Sequence, residues 1–146
     1  MTRTLAEILL LASLVINAAL LIFIAGVLRK VMNDMDEPQF KQFVVSLVRH
    51  SKRSPFMLTA LNIPFFGALP YFYFYGFGNR WLAAGLSLWL VAGAIGKTMK
   101  LPIYKAVEVG DVSRLGELRR ELNRGNLLQA ILNSAAALLA AVPLIR

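Results

Sequence analysis

Residues 54–96 read SPFMLTALNIPFFGALPYFYFYGFGNRWLAAGLSLWLVAGAIG and carry a single charge, Arg80. Two apolar runs flank a turn at Gly76-Phe-Gly-Asn-Arg80, and nine of the chain's fifteen aromatic residues lie between Phe65 and Trp81. Trp and Tyr settle at the headgroup level of a bilayer, where an apolar ring and a polar tip are both satisfied. The stretch therefore reads as a transmembrane hairpin with rings around its turn. The aromatic run from Tyr71 to Phe77 is expected to form an interfacial belt.

Outward from the hairpin, the same pattern repeats on each side. A charge-free run over about residues 8–28 is long enough to cross a hydrocarbon core of ~30 Å. The hairpin supplies spans over about residues 55–74 and 81–99, and the last span covers about 126–145. Between spans one and two, Phe40, Phe43, Val44, Leu47 and Val48 recur at helical spacing, with Asp36 and Pro38 suited to start a helix. This predicts an amphipathic helix lying on the membrane or extending the next span. A second polar segment over 111–124, with Leu115, Leu118 and Leu122 as its stripe, is expected to extend span four. Pro64 and Pro70 predict kinks in span two, tolerated only where neighbours recover the freed carbonyls. Pro102 is expected to end span three. Gly85, Gly93 and Gly96, and the pairs Ala130 with Ser134 and Ala136 with Ala140, predict close helix approach.

The expected fold class is all-α: a polytopic membrane protein, a four-transmembrane-helix antiparallel bundle with cytoplasmic amphipathic segments at 29–54 and 100–125. One membrane domain takes up residues 1–146. Composition agrees, with 58% hydrophobic residues. Sixteen Lys and Arg against eight Asp and Glu give a net charge of +8. On a water-soluble chain that excess would point to nucleic acid. Here the basic residues gather at the ends of apolar runs, which points to topology and anionic headgroups and away from nucleic acid. The positive-inside rule places the two basic connections in the cytoplasm and both termini outside, in a bacterial cytoplasmic membrane. The absence of Cys excludes disulfide, thiolate-metal and thiol-redox chemistry. Because the first run is long and no small-residue cleavage site precedes Arg29-Lys30, it is expected to be a span rather than a cleavable signal peptide.

Polar residues inside the spans are few. Asn17, Asn62, Gln129 and Asn133 are intramembrane amides, and an amide facing lipid has no partner. They either hold helices in register or line a pocket for a lipophilic ligand. A bent span two leaves a gap that straight neighbours cannot fill, so Asn17, Asn62, Asn133, Phe65 and Phe66 are the expected ligand-binding residues. His50, the single histidine, and Lys97 are weak catalytic candidates at the cytoplasmic mouth, each more readily read as an interfacial or snorkelling residue. One His and no Cys leave no nitrogen or thiolate metal site within one chain, so neither metal nor cofactor is expected. No phosphate loop, nucleophile elbow or intramembrane carboxylate pair is present.

The order of parts resembles the anthrone-oxygenase-like family of small four-helix membrane proteins. The resemblance rests on the glycine-bearing first span, the Phe-containing amphipathic stretch before a Pro, and the hairpin. It also rests on Lys100-Leu-Pro102-Ile-Tyr104 and on Leu118-Arg-Arg-Glu-Leu-Asn-Arg-Gly-Asn126 ahead of a small-residue last span. It implies a four-helix membrane fold and allows an oxygenase acting on a lipophilic aromatic substrate, as some fungal members oxidise anthrones with molecular oxygen. It assigns no catalytic residue here. Read from its residues, the chain is a structural or accessory subunit, or a binder of a lipophilic molecule within a membrane complex. Membrane lipids, further subunits or a second copy of the chain are its expected partners.

Overall fold

Among the described residues, four helices are long and apolar enough to cross a membrane: α1 (Arg3–Asp34), α3 (Pro55–Tyr75), α4 (Arg80–Val109) and α5 (Leu115–Ile145). A fifth, α2 (Glu37–Arg53), is amphipathic and lies between α1 and α3 in sequence. The computed structural model describes residues 2–110 and 114–145, and no strand occurs among them. By length and composition this is a multi-pass membrane protein.

Local chemistry sets the helix ends. Asp36 accepts from the Gln39 amide while the Gln39 side chain accepts from the Asp36 amide, a reciprocal cap that starts α2. Ser54 breaks α2 from α3 and caps the latter by accepting from the Met57 N–H. Gly76, with φ at +64°, closes α3 in a conformation that disfavours other residues. Asn79 then accepts from the Trp81 and Leu82 amides to open α4.

Two helices run further than their sequence suggests. α1 continues to Asp34 through a π-turn at Ile24–Leu28, and α4 continues to Val109 through a π-turn at Gly96–Lys100. Pro102 does not end α4. The wider turn before it shifts the ladder, so that the Leu101 N–H donates to the Gly96 carbonyl. A residue with no N–H is tolerated where the ladder changes step. α5 joins the polar segment from Leu115 onward to the last span; residues 111–113, where that segment begins, lie outside the described residues. α3 stays helical through both Pro64 and Pro70.

α5 packs along both α1 and α4, and α1 also carries α3. One part of this packing is tight. Ala6, Leu10, Leu14, Ala18, Ala68, Tyr71, Leu82, Ala136 and Ala140 form a buried cluster. A Cβ on Gly85 would sit 2.7 Å from the Ala136 carbonyl oxygen, and one on Gly67 would sit 3.1 Å from Leu10 Cα. These glycines let backbones approach as small residues do in membrane interfaces. Tyr71 is fully buried there, with its hydroxyl donating to Glu7 Oε1, so it is no part of an interfacial belt. Tyr73, Phe74 and Phe77 are exposed, as belt residues would be.

At the far end of α1 a second cluster forms. Phe40 and Val44 of α2 are buried against Ile103 and Val107 of α4 and Leu115, Leu118 and Leu122 of α5. Lys41 donates to the Gly110 carbonyl. Arg119 donates to the Met35 carbonyl, and its guanidinium lies 4.6 Å from the centre of the Phe40 ring. The most buried part of the apolar stripe of α2 is therefore taken up by protein rather than offered to a membrane surface.

Candidate functional site

The tight packing stops part-way along the bundle. α3 is seated on α1 and α2, with no comparable packing against α4 or α5. The space left is a cavity of about 1190 Å³, to which all five helices contribute wall. The gap lies on the side of α3 that has no such packing partner.

Asn17 anchors the closed end. Its Nδ2 donates to the carbonyls of Ala60 (3.0 Å) and Leu61 (3.2 Å) on α3. Pro64 has no N–H, so the Ala60 carbonyl four residues earlier has lost its helical partner; the amide of Asn17 replaces it. The oxygen of Asn17 accepts from Trp89 Nε1 at 3.2 Å. Trp89 in turn meets Phe65 edge to face, with ring centres 4.6 Å apart. Asn17, Trp89 and Phe65 thus tie α1, α4 and α3 together where dry core gives way to cavity.

Both π-turns lie on the cavity: Ile24 and Leu28 from one, Gly96, Lys97 and Lys100 from the other. Such turns recur at functional sites, because the extra residue re-aims the side chains around it. Lys100 is turned inward and is only 7% exposed. Its Nζ donates to Gln129 Oε1 at 2.8 Å, and Gln129 Nε2 donates to the Ala92 carbonyl at 2.7 Å. Two glycines make room for this arrangement. A Cβ on Gly125 would stand 3.1 Å from Lys100 Cγ, and one on Gly96 would stand 2.5 Å from Gln129 Nε2. Asn126 and Asn133, both almost completely buried, line the same space, and the side-chain oxygen of each lacks a partner.

The structure brings together most of the residues that sequence reading singles out. Asn17, Asn62, Phe65 and Asn133 all line the cavity, as do His50 and Lys97. Phe66 does not: it is 68% exposed and points away, because successive residues on a helix face different directions. Asn62 lies on the wall but bridges no helices, since its Nδ2 donates to Leu58 of its own helix. Asn133 likewise donates within its own helix, to the Gln129 carbonyl. Gly93 opens onto the cavity, with nothing within 4 Å of where its Cβ would be, so it is not a site of close helix approach. Lys100, Asn126, Trp89 and Tyr104 are wall residues that sequence reading does not pick out. The available signals were the glycines beside Lys100's partners and the four-residue spacing of Lys100 and Tyr104 on one helix face.

The fold and cavity define a small polytopic helical membrane protein with a large, mainly apolar, partly open chamber. Comparison of the chain with protein-family models, with curated proteins and with solved structures finds no match. What the chamber can do follows from its own walls. They offer apolar contact over most of their area, amide groups at a few points, and the cations Lys52, Lys97 and Lys100.

Proposed function

We propose that this chain binds a lipophilic molecule in the cavity beside α3, as a ligand-holding or accessory component of a membrane. The observation that carries this is the cavity itself. A chamber of about 1190 Å³ with an apolar wall and a few convergent polar groups has the character of a small-molecule site. Solid packing, as around Gly85, would have left the structural-subunit reading alone.

In this reading the four spans form an antiparallel bundle whose two polar segments face the cytoplasm, with both termini outside. Residues 29–53 hold six Lys and Arg and residues 97–124 hold seven, out of sixteen. The contact of Arg119 with Met35 and of Lys41 with Gly110 supports a common side for the two segments. A reporter active only outside the cytoplasm, fused at the C-terminus, is expected to be active; activity of a cytoplasm-only reporter there would reverse the orientation.

A second reading uses the same chamber for chemistry on a lipophilic aromatic substrate, as the family resemblance allows. What favours it is the presence of titratable side chains, His50, Lys97 and Lys100, on the wall of the same chamber that the Trp89 and Phe65 rings line. Native mass spectrometry of gently extracted protein tests the primary reading. The expected result is a protein carrying a lipophile that survives release from detergent. A bare protein mass, under conditions that preserve bound lipid on a control membrane protein, would remove the binding reading.

A further inference from the structure

The chamber wall has a one-sided charge. His50, Lys52, Lys97 and Lys100 line it, and among the described residues no Asp or Glu does. Among the described residues, the ion pair of Arg3 with Glu7 is remote from it, at the start of α1. Lys97 is exposed and can reach outward. Lys100 is different: it is held inside, over Gly125, with a neutral amide oxygen as its partner. An ammonium has three N–H donors, and Gln129 takes one. The other end of that amide is already committed to Ala92, which fixes its oxygen toward the lysine. A charge taken out of water without a counter-charge is expensive, and a side chain as long as Lys normally avoids it by snorkelling. Here two glycines and a π-turn hold it in place. Away from this end, the wall from Leu20 and Leu21 to Leu90 and Trp89 is mainly apolar and carries no charge, with the amides of Asn17, Asn62 and Asn133 as its polar points.

We infer that the ligand is a single-chain amphiphile with an anionic head, most simply a long-chain carboxylate, whose head pairs with Lys100 and whose tail runs toward Trp89. This rests on the reading of the chamber as a lipophile site. The head supplies the counter-charge that the chain withholds, and the buried amide of Asn126 at the same end can turn its N–H toward it. A neutral head gains no ion pair. A cationic head meets three lysines.

The test uses the full chain in mild detergent, with radiolabelled palmitate, hexadecanol and hexadecylamine as probes. Palmitate is expected to bind roughly ten-fold or more tightly than hexadecanol, as a charged hydrogen bond retained in a buried site implies, and hexadecylamine least of all. Lys100→Met is expected to bring palmitate to the level of hexadecanol and leave hexadecanol unchanged, while Lys100→Arg retains the preference. Equal binding of palmitate and hexadecanol to the unaltered protein would overturn the inference, and needs no variant to fold. Loss of both probes together in Lys100→Met would also overturn it, since the lysine would then be holding the wall rather than the head. If the unaltered protein binds none of the three, the failure is that of the lipophile site itself.

Discussion

A Cβ added to Gly85 would come within 2.7 Å of the Ala136 carbonyl oxygen, whereas one added to Gly93, about two turns along the same helix, would meet nothing within 4 Å. The two glycines are the same residue on the same helix. What differs is the partner. Gly85 faces the Ala136 and Ala140 stripe of α5, and Gly93 faces the space that α3 leaves by packing on α1. Small residues permit close approach; they do not compel it. A membrane bundle lacks the hydrophobic force that would collapse such a gap in water, so it persists unless a side chain or a ligand fills it.

The largest expected effect lies on the closed side of this comparison. Gly85→Leu forces α4 from α5 against backbone atoms and should lower the free energy of unfolding by about 2–3 kcal/mol, the upper part of the range for overpacking. Gly93→Leu should leave stability unchanged or raise it by up to about 1 kcal/mol through helix propensity, while reducing the amount of retained lipophile. Unfolding titrations in mixed micelles give the first quantity and native mass spectra the second. Similar destabilisation by both variants would mean that the two sides are not packed differently.

A middle-sized effect is expected at their border. Asn17→Leu removes the donor to Ala60 and Leu61 and the acceptor for Trp89. A loss of about 0.6–2 kcal/mol is expected, the span found for hydrogen bonds between membrane helices. Pro64→Ala restores an N–H for the Ala60 carbonyl, so in combination the two changes should cost less than their sum. Strict additivity in that double-mutant cycle would show that Asn17 does not serve the proline. The smallest effect belongs to Asn62→Leu. Asn62 bonds within its own helix, and a change within about 0.5 kcal/mol is expected for a residue outside any interhelical contact; a cost as large as that of Asn17→Leu would place Asn62 in an interhelical bond.

Hydropathy and length made the four spans legible, and the Phe40–Val48 stripe made α2 legible. The start of α2 was readable because Asp36 and Pro38 lie within three residues of each other; the reciprocal bond from Gln39 was added by the structure. Pairings between distant residues were not. That Pro64 would need an outside donor, and that Asn17 was an amide in search of a partner, could each be read, but the two sites are brought together only by the seating of α3 on α1. Lys97 and Lys100 look alike at the end of an apolar run. Snorkelling describes the exposed Lys97, whereas Lys100 is buried because Gly125, on another helix, leaves room for its stem. Tyr71 lies in a run of rings that reads as a belt, yet its side of α3 faces Glu7 and the dry core. In each case the deciding atom belongs to a different helix, and periodicity along one helix carries no information about it.

The contrast between the two glycine environments can be read chemically, because the chain contains no cysteine. Gly93→Cys and Ala136→Cys place one thiol each in the chamber and in the closed core. Reaction with N-ethylmaleimide in mild detergent should be fast for Gly93→Cys and slowed by bound palmitate, while Ala136→Cys should react only on unfolding. Equal rates for the two thiols, or a Gly93→Cys rate that palmitate does not alter, would contradict the account of an open, ligand-holding chamber beside α3.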